Sequence, residues 1–160
     1  MTEKATTEKA MFGAGCFWGV EARFADVPGV LETAVGYSGG HYPHPTYGDV
    51  CTDETGHAEV VLVEFDPAKV SYEELVKLFF QLHDPTQLNR QGPDVGTQYR
   101  SAIFYDSPEQ KATAERVKED MQPLIRGAIV TQIEPAQTFY RGEEYHQKYL
   151  EKRGLKSCHI

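Results

Sequence analysis

Three cysteines, at positions 16, 51 and 158, carry the reactive side chains of this sequence, and their surroundings differ. Cys16 sits in Gly13-Ala14-Gly15-Cys16-Phe17-Trp18-Gly19, where a short apolar strand turns through glycine into a helix. A thiol at a helix N-terminus meets unpaired N–H groups and the positive end of the helix dipole, which stabilise the nucleophilic thiolate. Cys158 follows Arg153-Gly154-Leu155-Lys156-Ser157 close to the C-terminus. A mobile tail is expected there, and a mobile thiol can reach a sulfenic acid and close a disulfide. Cys51 lies mid-loop beside Val50 with no second cue, and reads as structural or incidental. An odd cysteine count without CxxC or zinc-finger Cys/His spacing argues against a disulfide framework and against a structural metal.

Three chemistries could use the turn at Cys16. Dinucleotide binding is a weak fit, because the third glycine of GAGCFWG comes one residue late and Phe17 and Trp18 would crowd a pyrophosphate. A papain-like hydrolase finds a His at the right distance, His146, but needs an Asn beyond it, and the only Asn is Asn89. Redox chemistry, with Cys16 attacking a soft electrophile and Cys158 resolving the product, asks for an acid to protonate a departing oxygen. Glu59 is the candidate: along a β-rich stretch it shares a face with Val61 and Val63, an apolar setting of the kind that raises a carboxyl pKa. Tyr47 and Tyr99 sit in or beside two long loops and can donate hydrogen bonds to an oxyanion, and Asp94 shares the second loop. On these residues alone a thiol peroxidase, a cysteine hydrolase and a non-enzymatic redox sensor stay open.

The elements that must position these groups follow from pattern. Strands are expected at 9–14, 30–37, 57–65, 100–105 and 128–133, and a helix at 17–25 that ends at Pro28-Gly29. Ser71 with Glu74 forms a capping box for a helix bearing Leu75, Leu78, Phe79 and Leu82. Ser107-Pro108 opens another helix to about Met121, and 142–152 reads as a short last one. The segments 38–56 and 83–98 are too long for plain connections and hold few charges, with aromatics inside the first and beside the second, which favours function. Together these predict an α+β fold, a ferredoxin-like α/β sandwich on a split βαβ unit with long functional loops and a mobile C-terminal tail. With 160 residues, 40% hydrophobic and 25% charged, a single domain over 1–160 is expected, with flexible ends at about 1–6 and 153–160. Sixteen basic against 24 acidic side chains, net −8, argues against nucleic acid or an anionic membrane surface as partner. The longest apolar run, 60–63, falls far short of the ~20 residues that span a bilayer. MTEKATTEKA has no apolar core of a secretory signal, so a cytoplasmic location is expected.

Longer stretches carry a family resemblance. Gly15-Cys16-Phe17-Trp18-Gly19, Gly36-Tyr37-Ser38-Gly39-Gly40, Pro45-Thr46-Tyr47 and Thr55-Gly56-His57-Ala58-Glu59 occur in that order. Asp84-Pro85-Thr86-Gln87, Asn89-Arg90-Gln91-Gly92, Gly96-Thr97-Gln98-Tyr99-Arg100-Ser101 and Glu144-Tyr145-His146-Gln147 follow. In these the sequence resembles the A-type peptide methionine sulfoxide reductases from about residue 12 to 150. The resemblance implies reduction of the S-epimer of methionine sulfoxide, free or in proteins, with no metal or organic cofactor. It maps the catalytic cysteine to Cys16, the proton-donating glutamate to Glu59, the oxygen-binding tyrosines to Tyr47 and Tyr99, and a supporting aspartate to Asp94. Phe17 and Trp18 map to the aromatic wall for the substrate's S-methyl group, and Cys158 resembles the resolving cysteine. Thioredoxin is the implied reductant. His44 and Arg141-Gly142 depart from the family's commoner residues, and Cys158 stands where many members carry two C-terminal cysteines.

Overall fold

The computed structural model describes residues 7–15, 17–41, 43–52 and 55–147. The catalytic candidate Cys16, the resolving candidate Cys158 and both chain ends expected to be flexible lie outside the described residues.

A six-stranded sheet runs through the molecule. Strand β1 (Glu8–Ala14) leads into helix α1 (Phe17–Ala25), then β2 (Val30–Ser38), helix α2 (Tyr47–Cys51) and β3 (Ala58–Phe65). Helix α3 (Tyr72–Leu82) follows, then the two-residue strands β4 (Arg90–Gln91) and β5 (Asp94–Val95), and β6 (Ser101–Tyr105). Helix α4 (Pro108–Met121), β7 (Gln132–Pro135) and β8 (Tyr140–Arg141) complete the set. The strand order is β7-β6-β1-β3-β2-β8, antiparallel throughout except the β6–β7 edge.

Strand side chains alternate between faces, and the two faces of this sheet receive different cores. Ala10, Phe12, Ala14, Val61, Val63 and Phe65 join Val20 and Phe24 of α1, Leu75 and Phe79 of α3 and Val117 of α4 in the main one. The in-between residues Met11, Ala58, Val60, Ala102 and Phe104 form a smaller core on the opposite face. Helices α3 and α4 start as their sequences demand: Ser71 and Ser107 each accept a backbone N–H from the residue three ahead, and Pro108 fills the first turn.

The expectations hold where a pattern is long and fail where elements are short. Segment 38–56 is not irregular throughout; it contains α2, closed by a capping box in which Thr46 and Asp49 exchange hydrogen bonds with each other's backbone. Segment 83–98 contains the β4–β5 hairpin. The strand expected at 128–133 is displaced to Gln132–Pro135, because its register is set by parallel pairing with Ala102–Tyr105 rather than by its own apolar residues. Within the expected helix 142–152 the described part is a single 3-10 turn, Glu144–His146. The edge strand β8 has no counterpart among the expected elements. It lies against Gly36, where a Cβ atom would stand 2.2 Å from the Tyr140 carbonyl oxygen, so only glycine lets it approach.

Candidate active site

Strand β1 ends at Ala14 and α1 begins at Phe17, so Cys16 falls in sequence between a strand end and a helix start. Gly15 holds φ +92°, and a Cβ there would meet Gln91 at 2.8 Å. The turn before Cys16 is therefore packed against the second long loop, and a larger residue is excluded twice, by conformation and by space.

Glu59 reaches the same place from β3. Its register partner on β2 is Tyr37, and it shares the helix-covered face with Val61 and Val63, as its spacing predicts. The side chain is 2% exposed, and Oε1 accepts the Phe17 backbone N–H at 3.4 Å. A buried carboxyl oxygen thus caps the N-terminal turn of α1, one residue along the chain from Cys16.

Two tyrosines lie near enough to that carboxyl group to feel its charge when it is ionised. Tyr47 opens α2, and Tyr99 closes the 3-10 turn Thr97–Tyr99. Burial, the Glu59 charge and a hydrogen bond with the Cys51 thiol push the Tyr47 phenol far above its ordinary value. Burial, with the charges of Glu59 and Asp94, pushes Tyr99 up to about 12, against a side-chain hydrogen bond with Tyr47 that lowers it. Both hydroxyls therefore stay protonated and able to donate at neutral pH. Asp94, on the β4–β5 hairpin, lies near enough for its charge to act on Tyr99. Glu59, Tyr47, Tyr99 and Asp94, spread over four elements, are brought to one place.

Phe17 and Trp18 face different surroundings. Phe17 is buried, its ring against Tyr37, Tyr47 and His146 at 5.8, 6.4 and 5.2 Å between centroids. Trp18 is only partly buried, and its indole Nε1 donates to His146 Nδ1 at 3.0 Å. His146 itself is 1% exposed, and desolvation lowers its pKa while the nearby Glu143 charge opposes the shift.

His146 and Glu143 are functional candidates that sequence reasoning misses. The sequence offers His146 only as a hydrolase base, and its place within Glu144-Tyr145-His146-Gln147 is the one signal that points to it. Cys51 is exposed at the end of α2, beside Tyr47, so it lies nearer the cluster than its sequence context suggests. Among the described residues no group of three His, Cys, Asp or Glu side chains could hold a metal ion. No helix among them is long and apolar enough to cross a membrane. A separate concavity of about 580 Å³ opens at the far end of β1, between Lys9, Tyr72 and Gln110, away from every one of these groups.

Known proteins share this sequence and fold. The model of the family described as peptide methionine sulfoxide reductase matches residues 8–160. A curated protein of Acidobacterium capsulatum named "Peptide methionine sulfoxide reductase MsrA" is 61% identical over 154 residues, 95% of this chain and 99% of that protein. The structure titled methionine sulfoxide reductase A of Corynebacterium diphtheriae superposes with a TM-score of 0.90 at 42% identity, covering 98% of this chain and 79% of that one. Mxr1 from Saccharomyces cerevisiae, in complex with Trx2, superposes at 0.66 with 26% identity over 93% of this chain and 88% of that one. A glycine-bounded cysteine, a buried glutamate and two protonated tyrosines thus stand in a chain that belongs to the peptide methionine sulfoxide reductase family.

Proposed function

We propose that this chain reduces methionine sulfoxide, free or in proteins, to methionine, with Cys16 as nucleophile and Glu59 as proton donor. The observation that carries the reading is Glu59: a carboxyl group 2% exposed, bonded to the first N–H of α1 and shared by the Tyr47 and Tyr99 hydroxyls as their common electrostatic neighbour. A buried acid with two neutral donors beside a nucleophile's turn suits protonation of an oxygen leaving sulfur.

The Cys16 thiolate attacks the sulfoxide sulfur, and Glu59 passes its proton to the oxygen while Tyr47 and Tyr99 donate hydrogen bonds to it. The bond between that oxygen and the substrate's sulfur then breaks as the hydroxyl passes to the Cys16 sulfur, the bond between the two sulfurs breaks with its electron pair leaving on methionine, and Cys16 becomes a sulfenic acid. The Cys158 thiol attacks that sulfur, water departs, and a Cys16–Cys158 disulfide remains. A thioredoxin-type dithiol reduces it, a reading supported by the complex of Mxr1 with Trx2. Trp18 presents its indole face to the substrate's methylthio group with Phe17 packed behind it, Asp94 supports Tyr99, and the S-epimer is the form accepted. A cytoplasmic setting suits the exposed free thiol of Cys51.

The unit β1-α1-β2-β3-α3-β6 is read as ferredoxin-like, with a split βαβ at its heart. The order β6-β1-β3-β2, in which α1 links two strands that flank β3, supports this. One domain over 1–160 is supported by a core that draws on residues from Ala10 to Ile133 and by a family match from 8 to 160.

The test adds methionine sulfoxide to the reduced full chain and counts thiols and methionine. One methionine formed for two thiols lost is the expected result. A hydrolase would lose none, and a Cys16→Ser chain that still formed methionine with dithiothreitol would overturn the assignment. Cys158→Ser should release about one methionine per chain and then stop with thioredoxin, while dithiothreitol restores turnover.

A further inference from the structure

The chain's only tryptophan is held by a histidine that arrives from 128 residues further along. An indole N–H can only donate, so the 3.0 Å contact from Trp18 Nε1 makes His146 Nδ1 the acceptor. A neutral imidazole that accepts at Nδ1 carries its proton on Nε2. That nitrogen faces Glu143 Oε2 at 3.7 Å, too long for a hydrogen bond but close enough for a carboxylate to favour an N–H pointing at it.

Glu143 is itself held. Its Oε1 accepts the Tyr37 hydroxyl at 3.2 Å, and its two oxygens accept the Tyr47 backbone N–H at 3.2 and 3.3 Å. The segment bearing both residues is stapled to β2 by Gln147: its amide accepts from the Val35 N–H at 2.8 Å and donates to the Val35 carbonyl at 2.9 Å. The imidazole is packed on Phe17, Trp18 and Tyr47, with ring centroids 5.2, 5.5 and 4.7 Å away. Carboxylate, imidazole and indole therefore form one line from a fixed anchor to a partly exposed ring.

We propose that Glu143 and His146 are positioning residues for the substrate wall: Glu143 selects the Nε2–H tautomer of His146, whose Nδ1 then holds the Trp18 indole at the angle that receives the methylthio group. The inference rests on the reading of Trp18 as that wall. Neither residue touches the reacting atoms; both act through Trp18. The design follows the general rule that a carboxylate behind a histidine sets which ring nitrogen is available to a third group.

Three variants separate hydrogen bonding from packing. In Glu143→Gln the amide oxygen still accepts from Tyr37 and Tyr47, but the amide N–H points at His146 Nε2 and drives the proton to Nδ1, where it opposes the indole N–H. His146→Phe fills the ring volume with no acceptor, and His146→Asn replaces Nδ1 by an amide oxygen at a similar reach. Because Trp18 is the sole tryptophan, intrinsic emission and the near-ultraviolet dichroism of the indole report on it directly, with no substrate and no turnover.

Glu143→Gln and His146→Phe should shift the indole emission and raise KM for methionine sulfoxide about two- to tenfold, the factor one neutral hydrogen bond is worth. With dithiothreitol as reductant, kcat should stay within about threefold of wild type, since the proton donors are untouched. His146→Asn should restore much of both signals. An unchanged emission and KM in a folded Glu143→Gln chain overturns the tautomer role. A His146→Asn chain as impaired as His146→Phe overturns the hydrogen-bond role and leaves only packing. If wild type fails to reduce sulfoxide, the functional reading fails instead, while the emission of the three variants still decides whether the relay holds the indole.

Discussion

Two aromatic clusters in this molecule use similar rings for different ends. In the core Phe12 stacks on Phe24 at 4.9 Å and on Phe79 at 5.4 Å between centroids, and none of the three is exposed. At the end of β1 the rings of Trp18, Tyr37, Tyr47 and His146 gather round Phe17, and each of those four carries a polar atom with a named partner. Burial is non-directional, so the first cluster contributes cohesion and tolerates repacking. Hydrogen bonds are directional, so the second can aim its rings and hydroxyls at a ligand.

Two histidines away from solvent, His83 and His146, sharpen the contrast. His83, after α3, has Nδ1 2.6 Å from the Phe79 carbonyl and Nε2 2.7 Å from Ser101 Oγ. A carbonyl can only accept, so the proton sits on Nδ1, opposite to His146. Both partners of His83 are structural groups, α3 and β6, whereas His146 serves a ring at the candidate site.

If the clusters divide labour in this way, Glu59→Gln should slow sulfoxide reduction by roughly 10²–10⁴-fold, the usual worth of a general acid. Its urea midpoint should stay near that of wild type, because the amide oxygen still accepts from Phe17 N–H. A single-turnover rate within about threefold of wild type would move the proton donor to a tyrosine. Phe12→Ala should do the reverse, costing about 3–5 kcal/mol in urea unfolding while the molecules that remain folded keep their kcat/KM.

The histidines separate next, by pH. Burial holds His83 neutral in the native state and pushes its pKa down to about 4, while the unfolded chain takes up a proton below its ordinary value of 6.5. The unfolded state then binds more protons, so stability falls as pH drops from about 6.5 toward 4, by at most about 3 kcal/mol in all. His146 is lowered too and adds a slope of the same sign. The difference between wild type and His83→Gln isolates the His83 share; equal slopes in the two chains would contradict it. The smallest effect belongs to Trp18→Ala, which removes a sulfur–aromatic contact worth ~0.3–1.5 kcal/mol and should raise KM up to about tenfold with little loss of fold. An unchanged KM would place the indole with the core rings instead.

How much of this is legible in the sequence follows from element length. Helix α1 is expected at 17–25 and is found at Phe17–Ala25, and α4 begins at Pro108 and ends at Met121 as its cap and composition indicate. Strand β3 shows as a strand by its β-branched run, and strand alternation sets Glu59 beside Val61 and Val63, but apolar residues on both faces leave the helix-covered one to the tertiary structure. Helix α2 has five residues, and its signal, Thr46 with Asp49, is short enough to pass for loop chemistry. Strands β4, β5 and β8 have two residues each, too few for any period to show.

The candidate site divides in the same way. Cys16, Phe17 and Trp18 are contiguous, and Glu59 stands out as a carboxyl set beside apolar neighbours Val61 and Val63 of its own face, so local pattern and alternation point to both. The gathering of Tyr47, Tyr99 and Asp94 around that carboxyl, and the arrival of Glu143 and His146 at Trp18, depend on contacts between residues tens to more than a hundred positions apart. No local periodicity encodes such contacts. They arise only when the sheet order β1-β3-β2-β8 closes and Gln147 ties the last described turn to β2. The amino-acid order by itself determined the nucleophile's turn, the acid and the main strands and helices, because each is written in neighbours a few residues apart. Which polar groups meet there, and which tautomer a buried histidine must adopt between a carboxylate and an indole, was decided by tertiary packing, because hydrogen-bond direction exists only once the partners have been brought within reach.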